Sequence, residues 1–342
     1  MVHCWNGQEL GKSVSGAYMN LDVEMYLCTT CGDYLALSIG VYQENGSVCE
    51  GEFVCRACGM HYPVISGIPR FVPTENYAGS FGYQWNIHRK TQLDSYTGLP
   101  LSRKRLFAVS QWSENLQGQQ ILEAGSGAGR FTEVLLKTGA DVFSFDYSNA
   151  VEANLSNNGK QPNLHLFQGD ILKIPLAEKS FDKVICLGVL QHTPDPEKAF
   201  MSLAKFVKPG GELAIDVYRA DVFAYLHWKY VLRPITRRMD KESLYRIVSA
   251  IIPHLIPLVA ALRRNFGRVG CRIVPIVEYS HLKLSPEINK EWATLDTFDM
   301  YSPTYDHPQR ISTVNKWFVS TGFIDVDVRH GPNGIVGKGR KP

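Results

Sequence analysis

A glycine-rich segment constrains this chain more than any other part of its sequence. Residues 123–129 read Glu-Ala-Gly-Ser-Gly-Ala-Gly. They follow residues 120–123, whose apolar run predicts a short strand, and they precede Phe131, Val134 and Leu135, whose spacing predicts a helix. Glycine lets the backbone turn tightly and approach a ligand, and the start of a helix directs its N–H groups at that ligand. The segment therefore predicts a nucleotide-binding turn within an α/β fold.

The spacing of the glycines bears on which cofactor such a turn would hold. The dinucleotide fingerprint Gly-x-Gly-x-x-Gly requires a glycine at position 130, but this chain has Arg130 there and its third glycine is Gly129. This difference from the fingerprint disfavours NAD as the cofactor but does not exclude it. On the loop alone, NAD, another nucleotide cofactor and a tight turn without a ligand all stay open.

Strand and helix patterns alternate after the loop. Apolar runs predict further strands at 141–146, 164–168, 183–187 and 212–216. The series stops after Tyr218 and resumes with a predicted helix at 311–321 and a strand at 323–329, for which 334–337 is a candidate hairpin partner. Strands that alternate with helices predict a parallel sheet covered on both faces. We expect one core built from residues 117–218 and 309–342.

The segment 121–131 resembles the first motif of class I S-adenosylmethionine-dependent methyltransferases. Later segments are similar to that family in the expected order: Asp146 at the end of the second strand, Gln168-Gly-Asp-Ile171, the fourth-strand segment 181–192, and the turn 203–211 before the fifth strand. The resemblance implies a Rossmann-like sheet and an S-adenosylmethionine-dependent methyltransferase.

The resemblance also implies roles for individual residues. Asp146 would accept from the two ribose hydroxyls, Asp170 and Ile171 would hold the adenine, and Glu123 or a nearby carbonyl would face the ammonium group of the methionine part. The candidate cofactor-binding residues are Glu123, Gly125, Ser126, Gly127, Gly129, Asp146, Tyr147, Asp170, Ile171 and Leu187. The alternatives are a helix N-cap for Asp146 and a turn residue for Asp170.

Two Cys-x-x-Cys pairs precede the core. Four thiolates at this spacing suit one tetrahedral Zn²⁺ in a closed, structural site, while a redox dithiol or unrelated core cysteines are the alternatives. The second pair resembles the knuckle of small zinc ribbons, such as those that precede the core of some ribosomal RNA guanine methyltransferases. We predict a zinc ribbon at 17–73, followed by a helical connecting segment at 74–116. Its metal ligands would be Cys28, Cys31, Cys55 and Cys58.

A methyl acceptor can require a base, and histidine is the common one near neutral pH. His192 follows the fourth strand at the edge where α/β sheets bind ligands, although a capping or exposed histidine is an equal alternative. A second cluster, 297–307, adds the candidates Asp299, Tyr301 and His307, for which a packed surface loop is the alternative. Upstream, Trp85 is expected either to cover the cofactor or to pack in the core.

Residues 219–308 interrupt the core and predict a mainly helical insertion that caps the acceptor. A structureless segment of that length would be unusual. Its basic stretch, 233–272, indicates a solvated face, a site for phosphate-bearing substrates or RNA, or peripheral contact with an anionic membrane. The apolar run 251–262 contains two prolines and is too short to span a bilayer, so we expect no transmembrane segment.

The overall composition restricts the function class only weakly. Hydrophobic residues make up 44% and the net charge is +3, which is ordinary for a soluble protein and does not favour a nucleic-acid binder. Residues 1–20 have no apolar run of the secretory kind, so we expect a cytoplasmic protein.

A stretch around 80–86 is similar to one in bacterial methyltransferases of polysaccharides and secondary metabolites.

The function that the resemblance implies is methyl transfer from S-adenosylmethionine to an O or N atom. The expected acceptor is a small molecule, or an intermediate in glycan or secondary-metabolite synthesis. The ribbon and the basic insertion suggest an alternative, a methyltransferase of ribosomal or transfer RNA bases. A non-catalytic module that binds a nucleotide is the alternative from another class.

Overall fold

The computed structural model describes residues 23–42, 48–73, 76–159, 161–220 and 228–342. Within these ranges the chain forms two β-sheets and a helical insertion. The first residues of the predicted ribbon, 17–22, and residues 221–227 of the predicted insertion lie outside the described residues.

A four-stranded antiparallel sheet forms the N-terminal unit. Its strands, in sheet order, are β1 (Leu35–Tyr42), β2 (Val48–Cys55), β3 (His61–Ile65) and β4 (Ile68–Pro69). Exposed and buried side chains alternate along β3, so that Tyr62 and Val64 point inward. The two cysteine pairs flank this sheet, one in the turn before β1 and the other at the turn from β2 to β3.

A seven-stranded sheet forms the core, in the order β10-β11-β9-β8-β5-β6-β7. Its strands are β5 (Gln120–Ala124), β6 (Asp141–Asp146), β7 (Leu164–Gln168), β8 (Phe181–Leu187), β9 (Val207–Val217), β10 (Ile324–Gly331) and β11 (Gly334–Arg340). Strands β5 to β9 pair in parallel, as the alternation predicted. The predicted hairpin partner, β11, pairs with β10 and also inserts beside β9. Because strand order reverses at β5, the carboxyl ends of β5, β6 and β8 form the crevice in which such sheets bind ligands.

Helices cover both faces of the core sheet. On one face lie α6 (Pro196–Phe206) and α10 (Ile311–Ser320), which bury Phe200 and Phe318. On the other lie α3 (Leu101–Ser110), α4 (Arg130–Leu136) and α5 (Val151–Asn158), which bury Leu106 and Leu135. The connecting segment supplies α1 (Gly79–Ile87) and the short α2 (Asp94–Thr97). The helix predicted at 311–321 is therefore confirmed as α10.

The N-terminal sheet packs directly against edge strand β7. The amide of Phe71 donates to the carbonyl of Gln168 at 2.9 Å, and Arg70 forms a parallel bridge with the same residue. Tyr26 contacts Phe71 and Phe167, with ring centroids 5.4 and 5.8 Å away. The two sheets therefore share one hydrophobic cluster.

The insertion is helical, as predicted. It contains α7 (Trp228–Thr236), α8 (Lys241–Gly270) and α9 (Pro286–Tyr301), whose buried side chains form a cluster of their own. Helix α8 continues through Pro253 and Pro257 and kinks at Gly267, where φ is 57°.

The apolar run 251–262, which was predicted to be too short to span a bilayer, thus lies within a helix of 30 residues. By length and composition alone, Lys241–Gly267 is long and apolar enough to cross a membrane, a test that the core helices of soluble proteins also meet. In this structure one face of α8, including Leu244, Val248 and Ile252, is buried in the cluster that it shares with α9.

Candidate active site

The glycine loop joins β5 to α4 at the carboxyl edge of the sheet. Gly125 has φ 77°, and a Cβ there would lie 2.3 Å from a methyl group of Val189, so no side chain fits. A Cβ on Gly127 would lie 3.3 Å from the indole of Trp85. The amide of Gly125 donates to the carbonyl of Phe145 at 2.8 Å, which holds the loop against β6.

Asp146 ends β6 beside this loop. Its Oδ2 accepts from the amide of Gly127 at 2.9 Å, and its Oδ1 accepts from the amide and hydroxyl of Ser148 at 2.8 and 2.7 Å. Burial raises the pKa of its carboxyl group. The N-cap of α5 is Ala150 rather than Asp146, so the alternative role as a helix cap does not apply.

Glu123 lies beneath the loop and is only 3% exposed. Its Oε2 accepts from the hydroxyls of Thr132 and Ser144 at 2.5 and 2.7 Å. Among the described residues, Oε1 has no hydrogen-bond partner. Burial raises the pKa of this carboxyl group to about 7, so that a cationic group placed above the loop would stabilise its ionised form.

Aromatic and apolar side chains border the space next to Asp146. Tyr147 stacks on Tyr77 with 4.8 Å between the ring centroids, and Ile171 lines the same cavity. The sequence indicated Tyr147 but gave no signal for Tyr77, because only the fold brings the connecting segment against the end of β6. The carboxylate of Asp170 turns to its own loop and accepts from the amide of Leu172 at 2.8 Å.

One cavity of about 550 Å³ brings most of the predicted cofactor residues together. Those that line it are Gly125, Ser126, Gly127, Asp146, Tyr147, Ile171 and Leu187. The other three, Glu123, Gly129 and Asp170, are not part of the cavity lining. Gly129 is the N-cap of α4, and a Cβ there would lie 2.2 Å from the side chain of Asn154. The volume is in the range of small-molecule sites.

His192 lines the same cavity from the short turn that follows β8. Its Nδ1 lies 3.0 Å from the carbonyl oxygen of Tyr305, which makes Nδ1 the donor and leaves Nε2 unprotonated in the neutral ring. The ring packs against Phe81 and Tyr218, at centroid distances of 5.2 and 5.4 Å. Burial lowers its pKa, so the site holds a neutral imidazole at pH 7.

Asp299, on α9, also lines the cavity. Its Oδ1 accepts from Nε2 of Gln84 at 3.0 Å, which ties the insertion to α1. Its negative charge counters part of the effect of burial on the pKa of His192. The fold therefore brings two of the predicted catalytic candidates, His192 and Asp299, into one site.

The other two catalytic candidates lie outside the cavity lining. Tyr301 donates its hydroxyl to the carbonyl of Pro275 at 2.8 Å in the interior of the insertion. The amide of His307 donates to the carbonyl of Gln191 at 2.8 Å, which fastens the end of the insertion to the core. Tyr301 is buried and His307 is exposed at the surface, and neither side chain lines the cavity.

Helix α9 contributes two residues that the sequence analysis missed, Trp292 and Asp296, on the same face as the predicted Asp299. Trp292, Asp296 and Asp299 are spaced by four and then three residues, so they share one helix face, and all three line the cavity. Asp296 accepts from Nε1 of Trp292 at 3.1 Å and also from the hydroxyl of Tyr279. Burial raises the pKa of Asp296 to about 6. The helical spacing of these residues was the signal available in the sequence.

Three cations also line the cavity without having been predicted. Arg105 pairs with the buried Asp216 through Nε and Nη2 at 2.8 and 2.9 Å. Lys229 bonds to Asp306 at 2.8 Å. Burial lowers the pKa of Arg130 to about 10. Arg130 occupies the position at which the dinucleotide fingerprint has its last glycine. The residue that differs from the fingerprint therefore lines the cavity.

The four predicted metal ligands lie together in the N-terminal unit, with every pair of sulfur atoms within 4.8 Å. The Sγ atoms of Cys28 and Cys58 are 3.5 Å apart, and those of Cys31 and Cys55 are 3.4 Å apart. A tetrahedral zinc–thiolate site requires sulfur atoms about 3.8 Å apart. The cluster fits a structural zinc ion, and the hydroxyl of Tyr62 lies 3.2 Å from the sulfur of Cys28.

Comparison with known proteins agrees with this geometry. Residues 122–215 match the family model described as a methyltransferase domain. The ubiquinone biosynthesis O-methyltransferase of Coxiella burnetii is 32% identical over 114 residues, which is 33% of this chain and 49% of that protein. The enzyme of the same name from Pectobacterium carotovorum is 26% identical over 198 residues, 54% of this chain and 78% of that protein. The chain thus spans about half the length of the first relative.

Solved structures give weaker likenesses. Human N-acetylserotonin methyltransferase, in complex with S-adenosylmethionine, is 16% identical with a TM-score of 0.42, covering 79% of this chain and 60% of that one. An S-adenosylmethionine-dependent methyltransferase of Methanococcus maripaludis is 13% identical with a TM-score of 0.44, covering 79% and 95%. Likenesses at these scores carry no functional conclusion.

The segment that matches the family model holds the parallel strands β5 to β9, apart from the ends of β5 and β9, together with the glycine loop and Asp146. These are the parts that build the nucleotide side of the cavity. Residues 122–215 of this core therefore match a methyltransferase domain, and the curated relatives that align with them are named as O-methyltransferases.

Proposed function

We propose that this protein transfers the methyl group of S-adenosylmethionine to an oxygen atom of a small-molecule acceptor. The observation that carries the proposal is that one cavity contains both the glycine loop with Asp146 and the buried, neutral His192 beside Asp299. The names of the relatives that match the core, which are O-methyltransferases, support oxygen over nitrogen as the acceptor atom.

The residues around the glycine loop fit the parts of S-adenosylmethionine, which supplies a methyl group on a positively charged sulfur. Asp146 is placed to accept from ribose hydroxyls. Tyr77, Tyr147 and Ile171 offer aromatic and apolar surfaces for an adenine ring. Glu123 supplies negative potential beneath the loop for the ammonium group.

His192 is our candidate base. Its Nε2 would take the proton of the acceptor hydroxyl and leave the oxygen free to form the new bond. The carbonyl of Tyr305 fixes the ring through Nδ1, and the charge of Asp299 favours the imidazolium ion that forms. For the in-line displacement itself, the protein needs mainly to position the acceptor against the methyl group and to exclude water.

The walls that the insertion adds indicate the kind of acceptor. Tyr279 and Trp292 pack with 4.8 Å between ring centroids, and Met300 lines the cavity nearby. Lys229 and Arg130 add positive charge to the same space. These walls suit an acceptor that combines a planar or apolar part with an acidic group, such as an intermediate in secondary-metabolite or glycan synthesis.

Calorimetry with S-adenosylmethionine, S-adenosylhomocysteine and NAD tests the cofactor half of the proposal. We expect the first two to bind with dissociation constants on the order of micromolar. The Asp146→Ala variant should lose this binding, whereas Asp141→Ala, at the exposed start of the same strand, should retain it. Binding of NAD in place of both sulfur compounds would refute the proposal.

Transfer of a labelled methyl group to a panel of hydroxylated and amino acceptors tests the chemical half. We expect His192→Gln to lower kcat while affinity for S-adenosylmethionine is unchanged, and His330→Gln, on the exposed edge of β10, to be neutral. With the wild-type protein, kcat should fall in acid as His192 becomes protonated, at a pH below its ordinary value near 6.5 because burial lowers its pKa. Transfer confined to amino acceptors would overturn the choice of oxygen.

A further inference from the structure

The insertion presents an exposed apolar patch outside the cavity. The exposed fractions of its six side chains range from 38% for Trp228 to 74% for Val269. The patch consists of Trp228, Val231, Ile235, Phe266, Val269 and Ile273. Large apolar residues on soluble proteins are usually exposed singly, so a group of six in two adjoining segments indicates a surface with a partner.

The two segments that carry the patch are joined to each other. Trp228, Val231 and Ile235 are spaced by three and four residues, so they lie on one face of α7, while Arg233 on the opposite face is buried. The indole Nε1 of Trp228 donates to the carbonyl of Ile273 at 2.9 Å. This bond places the outer face of α7 next to the segment that follows α8.

The charge around the patch is strongly positive. Residues 228–273 contain ten of the chain's 36 Lys and Arg residues but only two of its 33 Asp and Glu residues. Five described arginines of this region are exposed: Arg237, Arg238, Arg246, Arg264 and Arg272. A surface that combines apolar side chains, a tryptophan and surrounding arginines is complementary to a membrane interface with anionic lipids.

We propose that this patch docks the protein on the surface of an anionic phospholipid bilayer. The six apolar side chains enter the interface between headgroups and acyl chains, and the arginines contact the anionic headgroups. Because a second copy of the chain would bring the same excess of positive charge against itself, a lipid surface suits the patch better than self-association does.

Docking would bring the cavity close to the bilayer. Lys229, which lines the cavity, follows directly after Trp228, and Val277 lines the cavity four residues beyond Ile273. An acceptor that partitions into the membrane would therefore meet the protein at the side where its cavity lies. This last consequence rests on the proposed function, whereas the docking itself does not.

Cosedimentation of the full-length protein with vesicles tests the docking. We expect the protein to bind vesicles that mix phosphatidylcholine with phosphatidylglycerol, to bind poorly to phosphatidylcholine alone, and to bind less at high salt. Equal binding to both kinds of vesicle would contradict the role assigned to the arginines.

Two matched pairs of substitutions locate the surface. Val231→Glu with Ile235→Glu should weaken binding to the mixed vesicles by about tenfold or more. Val319→Glu with Ile324→Glu makes the same change of charge at exposed apolar residues of α10 and β10 and should leave binding as in the wild type. Both double variants should bind S-adenosylmethionine normally, which shows that they are folded.

Two results would overturn the proposal. One is undiminished vesicle binding by the Val231→Glu, Ile235→Glu variant. The other is a wild-type dimer, seen by light scattering, that this variant dissociates while vesicles bind neither form, because the patch would then be an interface between two copies.

Discussion

Glu123 shows how a single buried residue links stability to pH. Its pKa is raised by burial from 4.5 to about 7 in the folded state. Below pH 4.5 the folded and unfolded chains both carry the proton. As the pH rises from there to about 7, the unfolded chain loses the proton while the folded chain keeps it, so the folded state becomes less stable by about 3 kcal/mol from this group.

We therefore predict that Glu123→Gln removes a pH dependence. The difference in free energy of unfolding between the wild type and the variant should change by about 3 kcal/mol between pH 4.5 and about 7. The wild type should become less stable relative to the variant as the pH rises. Urea unfolding of both proteins at several pH values measures the difference. Curves that stay parallel from acid to neutral pH would show that the carboxyl group is already ionised in the folded state.

At the residue scale, sequence predicted those site residues that stand next to a motif. Asp146 and His192 each follow a recognisable strand, and the fold of the core fixes where the end of each strand lies. Tyr77 and Asp296 could not be found in the same way, because neither belongs to a family motif and both reach the cavity from segments outside the core. Tyr301 has the right chemistry, but its place on α9 turns its hydroxyl to Pro275.

At the scale of elements, the glycine loop works because its backbone occupies space that a side chain would need. We predict that Gly125→Ala weakens S-adenosylmethionine binding by about tenfold or more and lowers stability by about 1–3 kcal/mol. The added Cβ would lie 2.3 Å from Val189, in a residue with φ 77°. Calorimetry and thermal unfolding measure the two effects.

Gly118→Ala is the matched control for that substitution. Gly118 also has φ 77°, but no described atom lies within 4 Å of the Cβ that would be added. It should therefore show the backbone strain without the loss of binding. Equal cofactor affinity in the two variants would mean that the contact with Val189 relaxes without moving the loop.

The bounds of the core elements were predictable, whereas for the insertion only its helical character was. Alternating apolar runs predicted β5, β6 and β7 closely, because parallel strands buried on both faces leave a continuous apolar signal. Pro253 and Pro257 cannot donate the hydrogen bond of an interior helix position, yet α8 continues through both of them and packs one face against α9.

At the scale of the whole molecule, the N-terminal unit with its four-cysteine cluster and the core form one hydrophobic cluster. We predict a single cooperative thermal transition for the zinc-loaded protein. Cys55→Ser should lower both the zinc content and the midpoint of that transition, because losing the metal loosens a surface on which β7 packs. Differential scanning calorimetry and metal analysis measure the two effects.

Ser38→Ala provides the control, since Ser38 is an exposed residue of β1 and is not a metal ligand. It should keep full zinc content and an unchanged midpoint. A Cys55→Ser protein in which the ribbon melts separately while the core keeps its wild-type midpoint would contradict the prediction. Full zinc content in that variant would contradict the assignment of its ligands.

The sequence predicted the ribbon and the core as units but not their contact. Tyr26, Phe71 and Phe167 are far apart along the chain, and each looks like an ordinary aromatic residue of its own unit. Contacts of this kind depend on which sheet edge is left unpaired, a property of the assembled fold rather than of a local pattern.

The contact between the two sheets also reaches the nucleotide side of the cavity. Arg70, in the N-terminal unit, donates to the side-chain oxygen of Gln168 at 3.0 Å, and the amide of that side chain donates to the carbonyl of Tyr147 at 3.0 Å. Tyr147 follows directly after Asp146. If zinc orders this relay, the two ligands are thermodynamically coupled: the factor by which zinc tightens cofactor binding is also the factor by which the cofactor tightens zinc. The concentration of available zinc would then affect the affinity of the cavity for its cofactor.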